Sequence, residues 1–143
     1  MRDLGVLNNI VKKINNYLES MSEILTVYIF GSFATGSQTK LSDIDFAILF
    51  AGNIPLIKEM EINAEISSLL GNDNIDLVNL NKTPVYIQHK VISTGSVIHE
   101  KDCLKTKDFI EEVLEIHHDY SIIFEKYNRD FYQGLKEELS NVR

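Results

Sequence analysis

Residues 24–50 read ILTVYIFGSFATGSQTKLSDIDFAILF, and this stretch decides the fold. Its two ends, 24–30 and 44–50, are runs of β-branched, aromatic and aliphatic residues, which is a composition typical of buried strands. Gly31 closes the first run, and a polar segment that contains Gly36 separates it from the second. We therefore predict two buried strands joined by a loop, with polar residues at the strand ends.

The segments on either side predict helices and further strands around this pair. Apolar residues recur at steps of three and four over residues 4–21, 56–70 and 84–95, which is the spacing of one buried helix face. Two shorter apolar runs, 75–80 and 97–100, predict a third strand and a fourth, edge strand. The sequence thus predicts an α/β (α+β) fold, in which a small mixed β-sheet is flanked by helices.

The C-terminal helical segment, residues 104–143, is unusually long for a chain of this size. Apolar residues at helical spacing run from about 105 to 139. A straight helix of that length would measure about 50 Å, which exceeds the diameter of a compact domain of this size. We expect the segment to break into a kinked pair or to project, and to form an interface with a second copy or with another protein.

Composition and charge narrow the classes of function. The chain has 143 residues, 44% hydrophobic and 24% charged, which is typical of a globular protein. Its net charge of -7 offers no positive field to nucleic acid or anionic lipid, so direct nucleic-acid binding is not expected. Neither a signal peptide nor a membrane span is recognisable, which predicts a cytoplasmic location. The single cysteine, Cys103, excludes a disulfide framework and a cysteine-based zinc cluster.

Three aspartates predict a metal site. Asp43 and Asp45 open the second strand, and because residues two apart in a strand point to the same face, we expect both carboxylates on one side. Two Mg²⁺ ions, completed by phosphate oxygens and water, fit such a pair, and Mn²⁺ accepts the same ligands. Asp76 lies between apolar neighbours in the third strand, where burial of an ionised carboxylate is costly unless it binds a cation. We therefore expect Asp76 to be buried and to complete the site.

The dipeptide Gly31-Ser32 predicts a phosphate-binding turn. The absence of a side chain at Gly31 lets backbone N–H groups approach a phosphate, and the Ser32 hydroxyl can hydrogen-bond to it. A helix expected directly after Ser32 would point its positive end at the same anion. Structural alternatives remain open, because Gly31-Ser32 could be an ordinary strand-ending turn, and the three aspartates could be caps, turn residues or exposed strand residues. The four histidines are isolated or point apart, and they predict no metal site.

Gly31-Ser32, the ten-residue gap, residues 42–46 (SDIDF) and residues 75–77 (IDL) resemble the minimal nucleotidyltransferase (MNT) family of the polymerase-β-like superfamily. The resemblance covers residues 24–100, and the C-terminal segment is similar to that of MNT-domain antitoxins. It implies a nucleotidyltransferase fold in one domain, 1–143, with an N-terminal helix (1–22), a catalytic core (24–100) and the C-terminal helical segment (104–143). One departure is Thr35, because many members carry Arg there, and its absence removes one bidentate phosphate contact.

The resemblance also implies an activity and a partner. MNT antitoxins are paired with HEPN-domain ribonuclease toxins, which implies Mg²⁺-dependent transfer of AMP from ATP to a tyrosine of the toxin. In that case Asp43, Asp45 and Asp76 are metal ligands and catalytic residues, and Gly31 and Ser32 bind the nucleotide. Assembly into a homo- or hetero-oligomer through the C-terminal segment is expected. Two alternatives are a nucleotidyltransferase that acts on a small hydroxylated molecule and a non-catalytic antitoxin that masks a toxin by binding.

Overall fold

The computed structural model describes residues 4–31 and 43–141, which form four strands and four helices. The predicted strands and helices of this part of the chain are confirmed, and the helix expected after Ser32 lies outside the described residues. The strands are β1 (Ile24–Phe30), β2 (Ile44–Phe50), β3 (Ile75–Asn79) and β4 (Ser96–Glu100). The helices are α1 (Leu4–Ser20), α2 (Leu56–Leu70), α3 (Val85–Thr94) and α4 (Cys103–Asn141).

The four strands form one mixed sheet in the order β3-β2-β1-β4. β1 pairs antiparallel with both β2 and β4, whereas β2 pairs in parallel with β3. The predicted mixed sheet is confirmed, and β4 is an edge strand, as expected. Because β2 runs parallel to β3, the N-terminal ends of these two strands lie side by side.

Helices cover both faces of the sheet. One face packs against α1 and α2, and the other packs against α3 and the first half of α4. The prediction of a small mixed sheet flanked by helices is therefore confirmed. The physical reason lies in the two central strands, because both of their faces are apolar and nearly every residue of β2 is buried. The apolar side chains that meet on the first face include Ile14, Leu18, Phe46, Ile48, Ile62 and Ile66.

α4 is one continuous helix of 39 residues. The predicted alternative of a kinked pair is wrong, because residues 103–133 contain neither proline nor glycine to interrupt the helix. At 1.5 Å per residue it measures about 58 Å and extends past the sheet. The Asp102 carboxylate accepts hydrogen bonds from two N–H groups of its first turn, and Thr106 hydrogen-bonds the buried Thr26 hydroxyl over 2.6 Å. No described helix combines the length and the apolar character needed to cross a membrane.

Candidate active site

Two of the three predicted aspartates face each other across neighbouring strands. Asp45 of β2 pairs with Asp76 of β3 in the parallel register. Paired residues of neighbouring strands lie about 4.8 Å apart and project to the same face. Asp43 is exposed and stands one residue before β2, two residues from Asp45. The sheet therefore gathers these aspartates at the N-terminal ends of β2 and β3.

Gly31 closes this site from the side of β1. It follows Phe30, which pairs with Asp45, and its φ of 75° lies in the left-handed region that favours glycine. A Cβ atom at this position would lie 2.5 Å from Oδ2 of Asp45. The missing side chain thus leaves the space that the Asp45 carboxylate fills, so Gly31 and Asp45 form one unit of the site.

The three carboxylates create a negative and partly dehydrated environment. Burial raises the pKa of Asp45 above its usual value, and the neighbouring charges of Asp76 and Asp43 raise it further. Within residues 4–31 and 43–141, ion pairs connect Lys82 with Glu59 and Lys107 with Glu111, and none involves these aspartates. A cation or a proton would relieve this repulsion, and cation binding is what such a group of carboxylates can do chemically.

The donor set fits Mg²⁺ on its chemistry. No three or more His, Cys, Asp or Glu side chains in the described part of the chain are arranged to enclose a metal ion by themselves. Mg²⁺ usually binds one or two carboxylates and completes its octahedron with water and substrate phosphates, so it does not require a cage made only of protein. Asp45, with Asp43 just before the same strand and Asp76 opposite on β3, supplies oxygen ligands of that kind.

Asp76 and Ser32 are the two predicted site residues whose predicted contacts differ from the structure or fall outside the part that it describes. Asp76 is exposed, so the prediction that it is buried is wrong. Side chains alternate along β3, and Ile75 points into the core while Asp76 points the other way. Ser32, Thr35 and the remainder of 32–42 lie outside the described residues, so the predicted phosphate contact of Ser32 stays a prediction.

Sequence analysis also missed a contact between two helices. The rings of His89 on α3 and His117 on α4 are stacked, with centroids 3.5 Å apart and planes inclined by 6°. Burial lowers the pKa of His89, and the neighbouring His117 lowers it further. These two histidines are far apart in the chain, and the sequence pattern of neither helix predicts that their rings meet. The expectation that His89 is isolated is therefore wrong.

Comparisons with known sequences point to one family. Residues 12–104 match the family described as polymerase beta, nucleotidyltransferase. A Shewanella oneidensis protein named protein adenylyltransferase MntA is 31% identical over 88 residues, which are 62% of this chain and 60% of that protein. The chain thus spans about 60% of the length of that relative. A Methanocaldococcus jannaschii protein, named as a candidate protein adenylyltransferase, is 33% identical over 81 residues, 57% of this chain and 82% of the relative.

Comparisons with solved structures give the same fold. The crystal structure of a toxin-antitoxin with AMP-PNP contains a chain with a TM-score of 0.65 and 24% identity, covering 79% of this chain and 87% of that one. A structure of the tri-AMPylated Shewanella oneidensis HEPN toxin in complex with MNT antitoxin has a TM-score of 0.64 and 21% identity, with the same two coverages, 79% and 87%. At these identities the likeness establishes the fold.

Proposed function

The chain belongs to the polymerase beta nucleotidyltransferase family, as its motif predicted, and from this premise we propose that it is an antitoxin that transfers AMP from ATP to a tyrosine of a HEPN-domain ribonuclease toxin. The observation that carries the proposal is the pairing of Asp45 with Asp76 beside Gly31. The relatives support the type of reaction, because they carry protein adenylyltransferase names. The solved neighbours support the type of partner, because they are toxin-antitoxin complexes.

In the proposed mechanism, the three aspartates prepare the reacting groups. Two bound Mg²⁺ ions would neutralise triphosphate charge and lower the pKa of the attacking hydroxyl. Asp43 and Asp45 would hold these ions, Gly31 leaves room for the Asp45 carboxylate, and the turn at Gly31 and Ser32 would bind the phosphates. Asp76, exposed on the edge strand of the sheet, would complete the site of the second ion, face the acceptor and take the proton of its hydroxyl. The tyrosine oxygen bonds to the α-phosphorus as the bond to the bridging oxygen breaks, and pyrophosphate leaves.

The acceptor can be tested directly. The chain is incubated with ATP, MgCl₂ and a HEPN-domain protein from the same genome, and the mass of the intact acceptor is measured. We expect increments of one AMP, located on a tyrosine by fragmentation, and none when Asp45→Asn replaces the parent. Inhibition of the ribonuclease without any increment would instead support masking by binding. AMP on a small hydroxylated compound, but not on the protein, would support the other alternative.

The proposal includes association through the C-terminal helical segment. α4 extends past the sheet, and its length suits an interface with the toxin or with a second copy. Deletion of residues 128–143 is expected to weaken association and to leave the aspartates intact, because they lie on the sheet. Light scattering of the full and shortened chains, alone and mixed with the HEPN protein, measures this. The same stoichiometry of association for the two chains, both alone and in the mixtures, would exclude the interface.

A further inference from the structure

A groove opens where the start of α3 meets the middle of α4. It has a volume of about 750 Å³ and is lined by Pro84, by the first two residues of α3, Val85 and Tyr86, and by Ile116, His117, Tyr120 and Ser121 of α4. Gly95, just after the other end of α3, lies next to Phe30 and therefore near the aspartates. Because α3 has ten residues and is about 15 Å long, the groove and the aspartates lie at opposite ends of this helix.

The walls of the groove expose large apolar and aromatic side chains. Tyr86 is 65% exposed on one wall, and Ile116 and Tyr120 are 38% and 53% exposed on the other. The ring of His117 stacks on the ring of His89, so the two helices contact each other beside the groove. A cluster of this kind is typical of a surface that binds another molecule.

One side of the groove carries only negative charge. On a helix with 100° between successive residues, Asp108, Glu112, Glu115 and Asp119 follow one another along the flank next to Ile116. All four are exposed. Residues 108–125 contain six acidic residues and no Lys or Arg, and the lysines of the same flank, Lys105 and Lys126, lie beyond the two ends of the row.

We infer that this groove binds a helix of a partner protein, in which an apolar or aromatic ridge is flanked by rows of Lys and Arg. The ridge fills the space between Tyr86 and Tyr120, and the basic rows face the acidic flank. A second copy of this chain would bring the same acidic flank against the first, and nucleic acid would be repelled by it. This docking surface is separate from nucleotide transfer and does not require the aspartates of the sheet.

The test uses the full chain and two synthetic helical peptides with the same leucine and phenylalanine ridge. One peptide carries Lys and Arg beside the ridge, and the other carries Glu at the same positions. Fluorescence anisotropy is expected to show binding of the basic peptide, weakened by added salt, and no comparable binding of the acidic one. Tyr120→Ala is expected to weaken binding about tenfold, which is typical of a central aromatic contact.

Matched variants distinguish binding in the groove from general attraction of a basic peptide to a negatively charged protein. Asp119→Lys is expected to weaken binding about tenfold, whereas Glu61→Lys, which changes the net charge equally on the exposed side of α2, should leave it within about twofold. Ile57→Ala is the apolar control, since Ile57 is exposed on α2 and does not line the groove. Circular dichroism checks that each variant is folded.

The inference is overturned by any of three results. The first is that the chain binds both peptides equally or binds neither. The second is that Tyr120→Ala and Asp119→Lys bind the basic peptide as tightly as the parent does. The third is that the parent chain forms a dimer that Tyr120→Ala dissociates. Because the peptides need no nucleotide and no acceptor tyrosine, absence of AMP transfer to a HEPN protein would leave these measurements unaffected. Failure of the docking inference and failure of the proposed function are therefore distinguishable.

Discussion

The Asp45 carboxylate lies in the space that a side chain at Gly31 would occupy, 2.5 Å from the position of the missing Cβ. β1 ends with Phe30 paired to Asp45, and the left-handed backbone at Gly31 then turns the chain past the carboxylate. The strand ending and the acidic site therefore depend on the same residue. A substitution at Gly31 should affect stability and chemistry together.

We predict that Gly31→Ala disrupts AMP transfer beyond its effect on stability. A non-glycine residue in the left-handed region costs about 1–2 kcal/mol, and here the new methyl group also displaces Asp45. Gly71→Ala is the matched control, because Gly71 also has a positive φ but has nothing within 4 Å of its Cβ position. Denaturant unfolding should show similar decreases in the free energy of unfolding for the two variants, whereas AMP transfer should fall only for Gly31→Ala. Full transfer by a folded Gly31→Ala chain would contradict the site.

We predict that Asp45→Asn lowers AMP transfer by more than about a hundredfold, because even the outer partners of metal ligands contribute ten- to a hundredfold. The same substitution should raise the free energy of unfolding in metal-free buffer, since it removes a half-buried charge that Asp76 and Asp43 repel. Asp73→Asn replaces an exposed loop aspartate and serves as the control. Transfer rates and urea unfolding measure the two effects. Transfer within tenfold of the parent would exclude a role for Asp45 as a metal ligand.

Much of this fold follows from local pattern. The strand over residues 44–50 and the helix over 56–70 have the bounds that their apolar spacing predicts, because Gly71 supplies the left-handed residue that ends α2. For α4 the sequence is ambiguous, because the spacing of its apolar residues fits one helix or two. The structure contains one helix, because no proline or glycine interrupts residues 103–133.

The features that could not be predicted depend on contacts between distant segments. Whether Asp45 faces Asp76 depends on the register between β2 and β3, which the two strand sequences do not determine. Asp76 is exposed although Val78, on the same face of β3, packs against the second core cluster, because Asp76 lies near the N-terminal end of an edge strand. Its apolar neighbours in the sequence do not reveal that position. The groove between α3 and α4 likewise requires that two helices meet with the rings of His89 and His117 in contact.

We predict that Asp76→Asn slows turnover more than it weakens the binding of ATP and Mg²⁺. Asp76 is exposed at the edge of the sheet, where the proposed acceptor arrives, whereas Asp45 lies deeper beside Gly31. Calorimetric titration with ATP in Mg²⁺ buffer gives the dissociation constant, and kcat for AMP transfer gives the chemical step. Equal losses in both quantities would instead make Asp76 a primary ligand of the nucleotide-bound ion.

We predict that Mg²⁺ and ATP strengthen each other's binding. The clustered aspartates repel a triphosphate until a cation lies between them, so the two ligands together should stabilise the fold by more than the sum of each alone. Thermal midpoints with Mg²⁺, with ATP and with both measure this coupling, and Mn²⁺ should substitute for Mg²⁺. The coupling should disappear in Asp45→Asn. Strictly additive shifts in the parent would show that the ligands do not meet at one site.

We predict that the chain loses stability as the pH falls below about 6.5. Burial lowers the pKa of His99, Lys101 lowers it further and Glu19 partly opposes this, while the buried Nε2 of His99 has no hydrogen-bond partner. Burial also lowers the pKa of His89. For a base whose pKa is lower in the folded state, the unfolded chain binds more protons, so the free energy of unfolding is highest above the unfolded pKa.

The histidine contribution is isolated by comparison of variants over the same pH range. Urea unfolding from about pH 7.5 to 5 should show a shallower loss of stability for His99→Leu than for the parent, because the variant has no imidazole that gains a proton when the chain unfolds. His118→Gln replaces an exposed histidine of α4 that has neither the burial of His99 nor the stacked partner of His117, and it is the control. The loss of stability in this variant should follow that of the parent. If His99→Leu and the parent lose stability in parallel, the pKa of His99 is the same in the folded and the unfolded chain, and its burial has no part in the acid response.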